Sequence, residues 1–340
     1  LASHCGLIST EMAIPVVDMT NFDKEGREDI MAQVANACET PGFFQVLNHG
    51  ISHSLMDRVK ELCKQDYELN REKNFNESLM VNALNNLIID ELKGNNCTES
   101  HKIGDIDWED IFMISDLQKT DSWPSQPANF KETIEEFQGE IYKLAERLLE
   151  MISLNLGLDK SYVKEAFAVG EKPFFGTKVS HYPPCPRPDL IDGLRAHTDA
   201  GGLILLFQDD EVPGLQVLSN GCWIDVQPTP YSIVIDIGDQ LEVISGGKYK
   251  SAWHRILPTK EGNRLSVASF YNPSMNAMVY PAPSLTVNDN TEAIVDGGDE
   301  ISSTYPKFSF GDYMNVYGQL KYDAKEPRFE AMRTLSEQAY

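Results

Sequence analysis

Paired cysteines, long apolar runs and a surplus of basic residues are all missing from this 340-residue sequence. The six cysteines lie far apart with no Cys-x-x-Cys pair, which disfavours a zinc site or a redox dithiol and predicts reduced thiols. No apolar run approaches the roughly 20 residues that a membrane-spanning helix needs. Acidic residues outnumber basic residues 52 to 29, so neither nucleic acid nor an anionic membrane surface is an expected partner.

The N-terminus also lacks a cationic segment followed by an apolar one, which is the pattern of a secretory signal. We therefore expect a cytoplasmic protein. Met12 directly precedes "AIPVVDM", and we expect residues 1–11 to be an upstream extension. The chain is long enough to bury a sizeable core, but its composition predicts no oligomeric state.

Helical and strand patterns alternate in the first half of the chain. Short apolar segments at 14–19 and 43–50 predict strands, and helix-spaced apolar residues predict helices at 27–42 and 52–70. Residues 76–126 are polar and irregular, and "KGNNCTESHKIGD" within them predicts a surface loop. Helical spacing then returns between Phe130 and Met151, which predicts a long amphipathic helix that needs a surface to cover.

Short β-rich segments separated by turn residues fill the second half from Phe174 to Tyr280. Their spacing is close to that of an all-β sandwich or barrel, so we predict a double-sheet core backed by the helices of the first half, an α+β fold. The predicted strands are "FGTKVSHY", "GLILLFQ", "GLQVLS", "CWIDV", "SIVIDIG", "LEVIS", "SAWHRIL", "LSVASFYN" and "AMVY". Helices are expected around 312–320 and again after Pro327.

Within this β core, "LRAHTDAGG" places His197 and Asp199 two residues apart. In an extended segment both side chains leave the same face and can meet one metal ion. His254, one of only seven histidines, lies 57 residues further on in another predicted strand. Two imidazoles and one carboxylate on one side of a metal leave its other positions open, which suits non-haem Fe(II) oxygen chemistry.

A second pair of polar residues follows ten positions after His254. Arg264 and Ser266 share one face of a predicted strand, and a guanidinium with a hydroxyl beside it can bind a carboxylate. The same alternation predicts that Phe270 faces the pocket rather than the core. The ordered set His-x-Asp, His and Arg-x-Ser is much more specific than any one of its parts.

Several segments resemble the plant Fe(II) and 2-oxoglutarate-dependent dioxygenases across nearly the whole chain, among them "GFFQVLNHGI", "YPPCPRPDLI", "LRAHTDAGG" and "RLSVASFYNP". Two stretches narrow the resemblance to the ethylene-forming 1-aminocyclopropane-1-carboxylate oxidases. These are "FGTKVSHYPPCP", which contains Lys178, and "LKYDAKEPRFEAM" near the C-terminus. The chain departs from the family pattern around residues 86–102 and at His181, where we expect Asn.

The resemblance implies a distorted double-stranded β-helix (jelly-roll) core with flanking N-terminal and C-terminal helices. Its expected regions are an N-terminal dioxygenase region at 14–120, a backing helix at 129–158, the jelly-roll core at 172–274 and a C-terminal helical segment at 305–340. It also implies Fe(II) held by His197, Asp199 and His254, with O2 and a small amino acid as substrates, ascorbate as electron donor and bicarbonate or CO2 as activator. The expected products are ethylene, cyanide and CO2.

Further site residues follow from the same resemblance. In the C-terminal segment Lys321, Lys325, Arg328 and Glu330 match residues implicated in activity, and Tyr182 matches the tyrosine that helps hold the co-substrate in 2-oxoglutarate-using relatives. Arg264, Ser266 and Phe270 are expected to contact the cofactor beside Tyr182. Cations that could gather small anions in an otherwise acidic protein are Lys178, Arg195, Arg264, Lys325 and Arg328.

Two other functions remain open at this point. A 2-oxoglutarate-dependent hydroxylase or desaturase of another plant metabolite would use the same ligands, with Arg264 and Ser266 on the distal carboxylate. Lys178 and the C-terminal segment argue against it, as does Ser180, because these relatives commonly have Asn at that position. A non-catalytic binding protein could keep the fold, but the intact ligand set disfavours it.

Overall fold

The computed structural model describes residues 13–20, 22, 26–93, 103, 106–115, 123–286 and 305–338. The expected extension at 1–11 and most of the expected loop at 93–105 lie outside the described residues. The helices are Arg27–Glu39 (α1), His53–Asp66 (α2), Glu72–Asn76 (α3), Leu79–Leu92 (α4), Phe130–Asn155 (α5), Tyr162–Phe167 (α6), Asp239–Ile244 (α7), Pro283–Thr286 (α8), Phe310–Leu320 (α9) and Lys325–Gln338 (α10). A π-helical turn, Tyr67–Arg71, joins α2 to α3.

The strands form two main sheets and one short two-stranded sheet. They are Val16–Asp18 (β1), Phe43–Leu47 (β2), Asp110–Ser115 (β3), Phe174–Tyr182 (β4), Leu194–His197 (β5), Leu203–Gln208 (β6), Leu215–Ser219 (β7), Cys222–Asp225 (β8), Ile233–Ile237 (β9), His254–Ile256 (β10), Arg264–Asn272 (β11), Met278–Val279 (β12) and Phe308–Ser309 (β13). The larger sheet has the order β1-β2-β9-β6-β11-β4-β3, and the smaller has the order β5-β10-β7-β8. β12 pairs with β13.

The two main sheets pack face to face. A cluster of buried side chains from both sheets fills the space between them, including Phe43 and Val234 from the larger sheet and Leu215 and Ile256 from the smaller. The helices lie outside this double layer. In the chain α1 to α6 precede β4, α7 lies between β9 and β10, and α8 to α10 follow β12. This arrangement confirms the predicted α+β jelly-roll.

The outer face of the larger sheet is covered by α5, the long helix that the spacing between Phe130 and Met151 predicts. One side of α5 is buried along its length, and the Phe137 ring lies 5.8 Å from the ring of Phe207 on β6. Strand β9, "IVIDI", is covered by helices on one face and by the smaller sheet on the other, so all five of its residues are buried. A strand buried on both faces is expected to be almost continuously apolar.

The prediction of irregular structure at 76–126 was wrong at two places. Helix α4 forms because Met80 and Leu84 are buried against Trp108, although asparagines interrupt its apolar pattern. Strand β3 forms because it pairs along its length with β4 at the edge of the larger sheet. Both elements therefore depend on tertiary partners rather than on local pattern.

The predicted strand at "LEVIS" is also wrong, since this segment lies in α7. All six residues of α7 are buried, so its burial has no period that distinguishes a helix from a strand. The last helix, α10, begins at Lys325, two residues before Pro327. A proline in the first turn costs little because the N–H groups there have no intrahelical acceptor.

Two further observations concern the cysteine thiols and the hydropathy of the helices. Cys38, Cys63 and Cys185 are buried free thiols. Burial raises the pKa of the Cys185 thiol to about 11, which keeps it protonated at neutral pH. None of the described helices combines the length and the hydropathy that crossing a bilayer requires.

Candidate metal centre and its cavity

Sheet register brings the two predicted histidine ligands together. His197 is the last residue of β5 and His254 is the first residue of β10, and these two residues are direct partners in the antiparallel pairing of the strands. Directly paired residues project from the same face of a sheet, so the two imidazole rings meet, with centroids 4.3 Å apart. Both side chains are buried.

Asp199 completes the cluster from just beyond the end of β5. Its Oδ1 lies 3.3 Å from Nε2 of His197 and 3.9 Å from Nε2 of His254. The ligand atoms of the three residues all lie within 4.8 Å of one another. The strand ends at His197, so Asp199 lies just beyond the extended segment that the sequence predicts.

Hydrogen bonds orient both imidazoles for ligation. Nδ1 of His197 lies 2.8 Å from the carbonyl oxygen of Arg195, and Nδ1 of His254 lies 3.2 Å from that of Ala252. A carbonyl oxygen can only accept, so each Nδ1 carries the proton and each Nε2 presents its lone pair to the cluster. This arrangement is typical of histidines that bind metals.

Burial and neighbouring charges set the protonation of the cluster. Burial, together with a smaller contribution from the nearby His197, lowers the pKa of His254 to about 4, so His254 is neutral near pH 7. Burial alone raises the pKa of Asp199, but the contact with His197 and the nearby His254 outweigh it and lower the pKa overall. Two imidazoles and one carboxylate are the donor set that suits a divalent transition metal such as Fe(II).

The cluster opens into a cavity of about 240 Å³ between the two sheets. Its walls are largely apolar and include Phe43, Leu215, Val234 and Ile256. Cavities of this kind, with a few convergent polar groups, are the usual form of small-molecule sites.

Strand β11 lines the cavity with alternate residues. Arg264, Ser266 and Phe270 all face it, as the alternation along the strand predicts. The guanidinium of Arg264 is 1% exposed, and its Nη2 donates to Oε1 of Gln208 at 3.0 Å. Its Nε and Nη1 have no hydrogen-bond acceptor among the described residues. A buried cation with two unpartnered donor nitrogens is costly, so this wall of the cavity fits an anionic ligand.

Strand β4, which pairs with β11, contributes Lys178 and Tyr182 to the same wall of the cavity. Both contact the buried carboxylate of Glu109. Nζ of Lys178 lies 2.7 Å from Oε1 of Glu109, and the Tyr182 hydroxyl donates to the same oxygen at 2.6 Å. The sequence alone did not identify Glu109, because it lies far from both partners along the chain.

The remaining predicted site residues do not line this cavity. Arg195 pairs with Asp107 at 2.9 Å and lies over the ring of Tyr322. The other three are on α10. Lys325 pairs with Glu242 at 2.7 Å, Arg328 is buried beside Asp239, and Glu330 lies on the surface beside Arg333.

The sequence analysis also missed side chains that do line the cavity. Met314 and Tyr317 reach it from α9. Lys321, which the family resemblance does identify, lines the same cavity directly after that helix. Burial lowers the pKa of Lys321. Asp236 lines it from β9, and its Oδ2 lies 3.7 Å from Nδ1 of His254. The one sequence feature that could have identified Asp236 is its position as a single carboxylate within an otherwise apolar strand.

Known protein families match both halves of the chain. Residues 174–273 match the 2OG-Fe(II) oxygenase superfamily, and residues 14–132 match the family described as non-haem dioxygenase in morphine synthesis N-terminal. The chain is 50% identical over 326 residues to the 1-aminocyclopropane-1-carboxylate oxidase of Musa acuminata, covering 95% of this chain and 100% of that protein. It is also 50% identical to 1-aminocyclopropane-1-carboxylate oxidase 5 of Arabidopsis thaliana, with the same coverage.

Solved structures show the same fold. The crystal structure of JOX2 in complex with 2OG, Fe and JA is 30% identical, with a TM-score of 0.72, and the match covers 94% of this chain and 89% of that one. The rice dioxygenase for auxin oxidation is 22% identical, with a TM-score of 0.68 over 93% of this chain and 99% of that one. At that identity the second likeness concerns the fold alone.

Proposed function

The chain belongs to the 2OG-Fe(II) oxygenase superfamily and, within it, to the 1-aminocyclopropane-1-carboxylate oxidases, and from this membership we propose that it oxidises 1-aminocyclopropane-1-carboxylate to ethylene. Cyanide and CO2 are the other products, and ascorbate supplies the two electrons that reduce O2 fully to water. The observation that carries the proposal is that one cavity joins the His197, Asp199 and His254 cluster to Arg264, two of whose nitrogens have no hydrogen-bond acceptor among the described residues.

In this proposal Fe(II) is held by Nε2 of His197, Nε2 of His254 and the carboxylate of Asp199. The donor set fits, since both imidazoles have their Nδ1 protons engaged by carbonyl groups and the carboxylate is ionised. When bound, Fe(II) supplies the redox chemistry that activates O2. Because the three protein ligands come from one side, they leave room for ligands on the cavity side.

Arg264, Ser266 and Lys178 bind the small anions of the reaction in our proposal. These are the carboxylate of the amino acid, ascorbate and the activator bicarbonate. The support is the buried guanidinium of Arg264, which has donors to spare, and the presence of Lys178 and Lys321 on the same cavity. The hydroxyl of Tyr182 and the ammonium of Lys178 are held in place by Glu109, so they are pre-ordered before any ligand enters.

The size of the cavity favours a small substrate. Its volume of about 240 Å³ is below the range of roughly 300–1,000 Å³ that drug-sized ligands occupy. The apolar walls exclude water from around the reacting group, and Phe270 and Ile256 leave little space for a bulky side chain. A compact amino acid with a three-membered ring fits these limits.

A second function, 2-oxoglutarate-dependent oxidation of another metabolite, is favoured by one observation. The JOX2 structure, 30% identical to this chain, contains 2OG and Fe. In that case Arg264 and Ser266 would bind the distal carboxylate of 2-oxoglutarate rather than bicarbonate or the amino acid.

Headspace ethylene separates the two functions. The purified chain is given Fe(II), ascorbate, bicarbonate and 1-aminocyclopropane-1-carboxylate, with and without 2-oxoglutarate. We expect ethylene that requires ascorbate but not 2-oxoglutarate. No ethylene, together with succinate formation when 2-oxoglutarate is present, would contradict the proposal and support the second function.

A further inference from the structure

The backbone that carries Asp199 is held closely by the start of α7. The N–H of Asp239 donates to the carbonyl of Asp199 at 2.8 Å, and the N–H of Gln240 donates to that of Gly201 at 3.0 Å. The approach is close because residue 238 is glycine, where a Cβ would lie 2.3 Å from the Gly201 carbonyl oxygen. The ligand backbone is thus fixed from inside the core.

Thr198 lies between the ligands His197 and Asp199, and side chains from the C-terminal helices bind it. It is fully buried. The Tyr317 hydroxyl donates to its carbonyl at 2.7 Å, and Nη2 of Arg328 donates to its Oγ1 at 3.0 Å. The Thr198 hydroxyl in turn donates to Oδ2 of Asp239 at 3.3 Å. Both the backbone and the side chain of this residue therefore have partners in other elements.

Arg328 and Asp239 form the centre of this network. Both side chains are 0% exposed, and Nη1 of Arg328 lies 2.9 Å from Oδ2 of Asp239. Asp239 also accepts hydrogen bonds from the hydroxyls of Ser251 and Tyr313, each at 2.7 Å. A buried ion pair with this many additional hydrogen bonds has a defined geometry.

We propose that Arg328 is a positioning residue for the metal centre. Through Thr198 and Asp239 it fixes the backbone between His197 and Asp199, so the C-terminal helix α10 must be docked for these two ligands to keep their spacing. Metal sites tolerate little displacement of their ligands, and groups that orient the ligands commonly change metal affinity 10–100-fold when they are removed. This inference rests on the proposed iron centre.

A different role for Arg328 would be as a receptor for bicarbonate or another small anion. Its Nε has no hydrogen-bond acceptor among the described residues, but Nη1 and Nη2 are both engaged by protein oxygens. Arg328 does not line the cavity that Arg264 lines. The geometry therefore favours a role for Arg328 in positioning the backbone of the metal ligands over a contact with a soluble anion.

Metal titration of the full chain tests the positioning role without using activity. Co(II), which does not oxidise readily, is titrated into wild type, R328M, T198V and R333M, and both the dissociation constant and the visible ligand-field spectrum are recorded. Arg333 is the matched control, because it lies on the same helix with its side chain 42% exposed. R328M leaves Asp239 buried without its partner charge and can unfold the chain. T198V keeps that ion pair intact and removes only the hydrogen bonds that the Thr198 hydroxyl makes with Arg328 and Asp239.

We expect T198V, and R328M if it folds, to bind Co(II) about tenfold or more weakly, with a changed spectrum, while R333M behaves as wild type. Wild-type affinity and spectrum in T198V would overturn the inference, as would normal Co(II) binding by a folded R328M that has lost activation by bicarbonate. No Co(II) or Fe(II) binding by wild type would overturn the proposed iron centre itself, which is a distinguishable failure.

Discussion

The β core and the C-terminal helix each bury one arginine, and the two arginines have different surroundings. On β11, Arg264 lines the cavity, and its Nε and Nη1 have no acceptor in the part of the chain that the structure describes. On α10, Arg328 forms an ion pair with Asp239 and a hydrogen bond with Thr198. Burial alone therefore does not identify a ligand-binding cation. What distinguishes the two is whether the protein itself supplies the acceptors.

The two regions therefore have different functions in the site. The core strands present groups to a ligand, and the C-terminal helix holds part of the core in place. If this is correct, substitutions in the two regions should separate effects on binding from effects on stability.

The largest effect should come from the metal centre, on which both regions converge. Replacing His197, Asp199 or His254 by Ala should abolish ethylene formation, because each removes one of only three protein ligands. His53→Ala is the control, since His53 lies at the start of α2 outside the cavity. Full turnover by any of the three ligand variants would show that the site is assigned wrongly.

The next largest effect should separate the two arginines by stability. Arg328→Met leaves Asp239 buried without its partner charge, and we expect a loss of about 3–5 kcal/mol in the free energy of unfolding. Arg264→Met removes a buried cation with unused donors, so its free energy of unfolding should change by less than about 1 kcal/mol or increase. Urea denaturation of the metal-free proteins measures both. Equal losses in the free energy of unfolding of the two variants would contradict the proposed difference between Arg264 and Arg328.

A third effect should distinguish the two arginines by their contribution to ligand binding. Arg264→Met should raise the half-saturating concentration of bicarbonate or of the amino acid roughly 10–100-fold, which is the loss of about 1.5–3 kcal/mol from a charged hydrogen bond. Fe(II) affinity should stay close to wild type, because Arg264 contacts none of the three ligands. Arg187→Met provides a control on the surface, where Arg187 pairs with Asp189. Unchanged dependence on both small molecules would argue against an anion-binding role.

The smallest expected effect concerns the other face of β4. His181 lies away from the cavity, stacked on Tyr67, and burial lowers its pKa to about 4. An unfolded chain has a histidine pKa near 6.5, so it binds a proton that the folded chain does not as the pH falls from about 6.5 to about 4. Stability is therefore lost in this window, by roughly 2 kcal/mol at pH 5.

His181→Asn should remove this contribution without affecting metal binding. The difference in the free energy of unfolding between pH 7 and pH 5, measured on the metal-free chain, should become smaller by roughly 2 kcal/mol. The rest of the acid sensitivity stays, because the pKa of His254 is also lowered to about 4. The same pH dependence in the variant and in wild type would show that His181 is not the acid-labile group.

The sequence predicted the pair His197 and Asp199 and the β11 residues because their pattern is local. Alternation along a strand places Arg264, Ser266 and Phe270 on one face, and the spacing of His197 and Asp199 brings both to one point. The fold class follows from the same periodicities. These features can be predicted without knowing which distant segment packs against them.

The partners of the charged residues could not be predicted in the same way. A family motif identifies Arg328 and Lys178, but their orientation depends on Asp239 and Glu109, which lie far away in the chain. The same limit applies to β3, which is a strand only because β4 pairs with it. Long-range contacts therefore decide whether a predicted site residue faces the cavity or supports it.

Anaerobic calorimetric titration with Fe(II) tests the central claim most directly, since every role assigned here depends on one iron centre formed by β5 and β10. We predict one Fe(II) bound per wild-type chain, and none in His254→Ala under the same conditions. No Fe(II) bound by wild type, or one equivalent still bound by His254→Ala with wild-type affinity, would contradict the account.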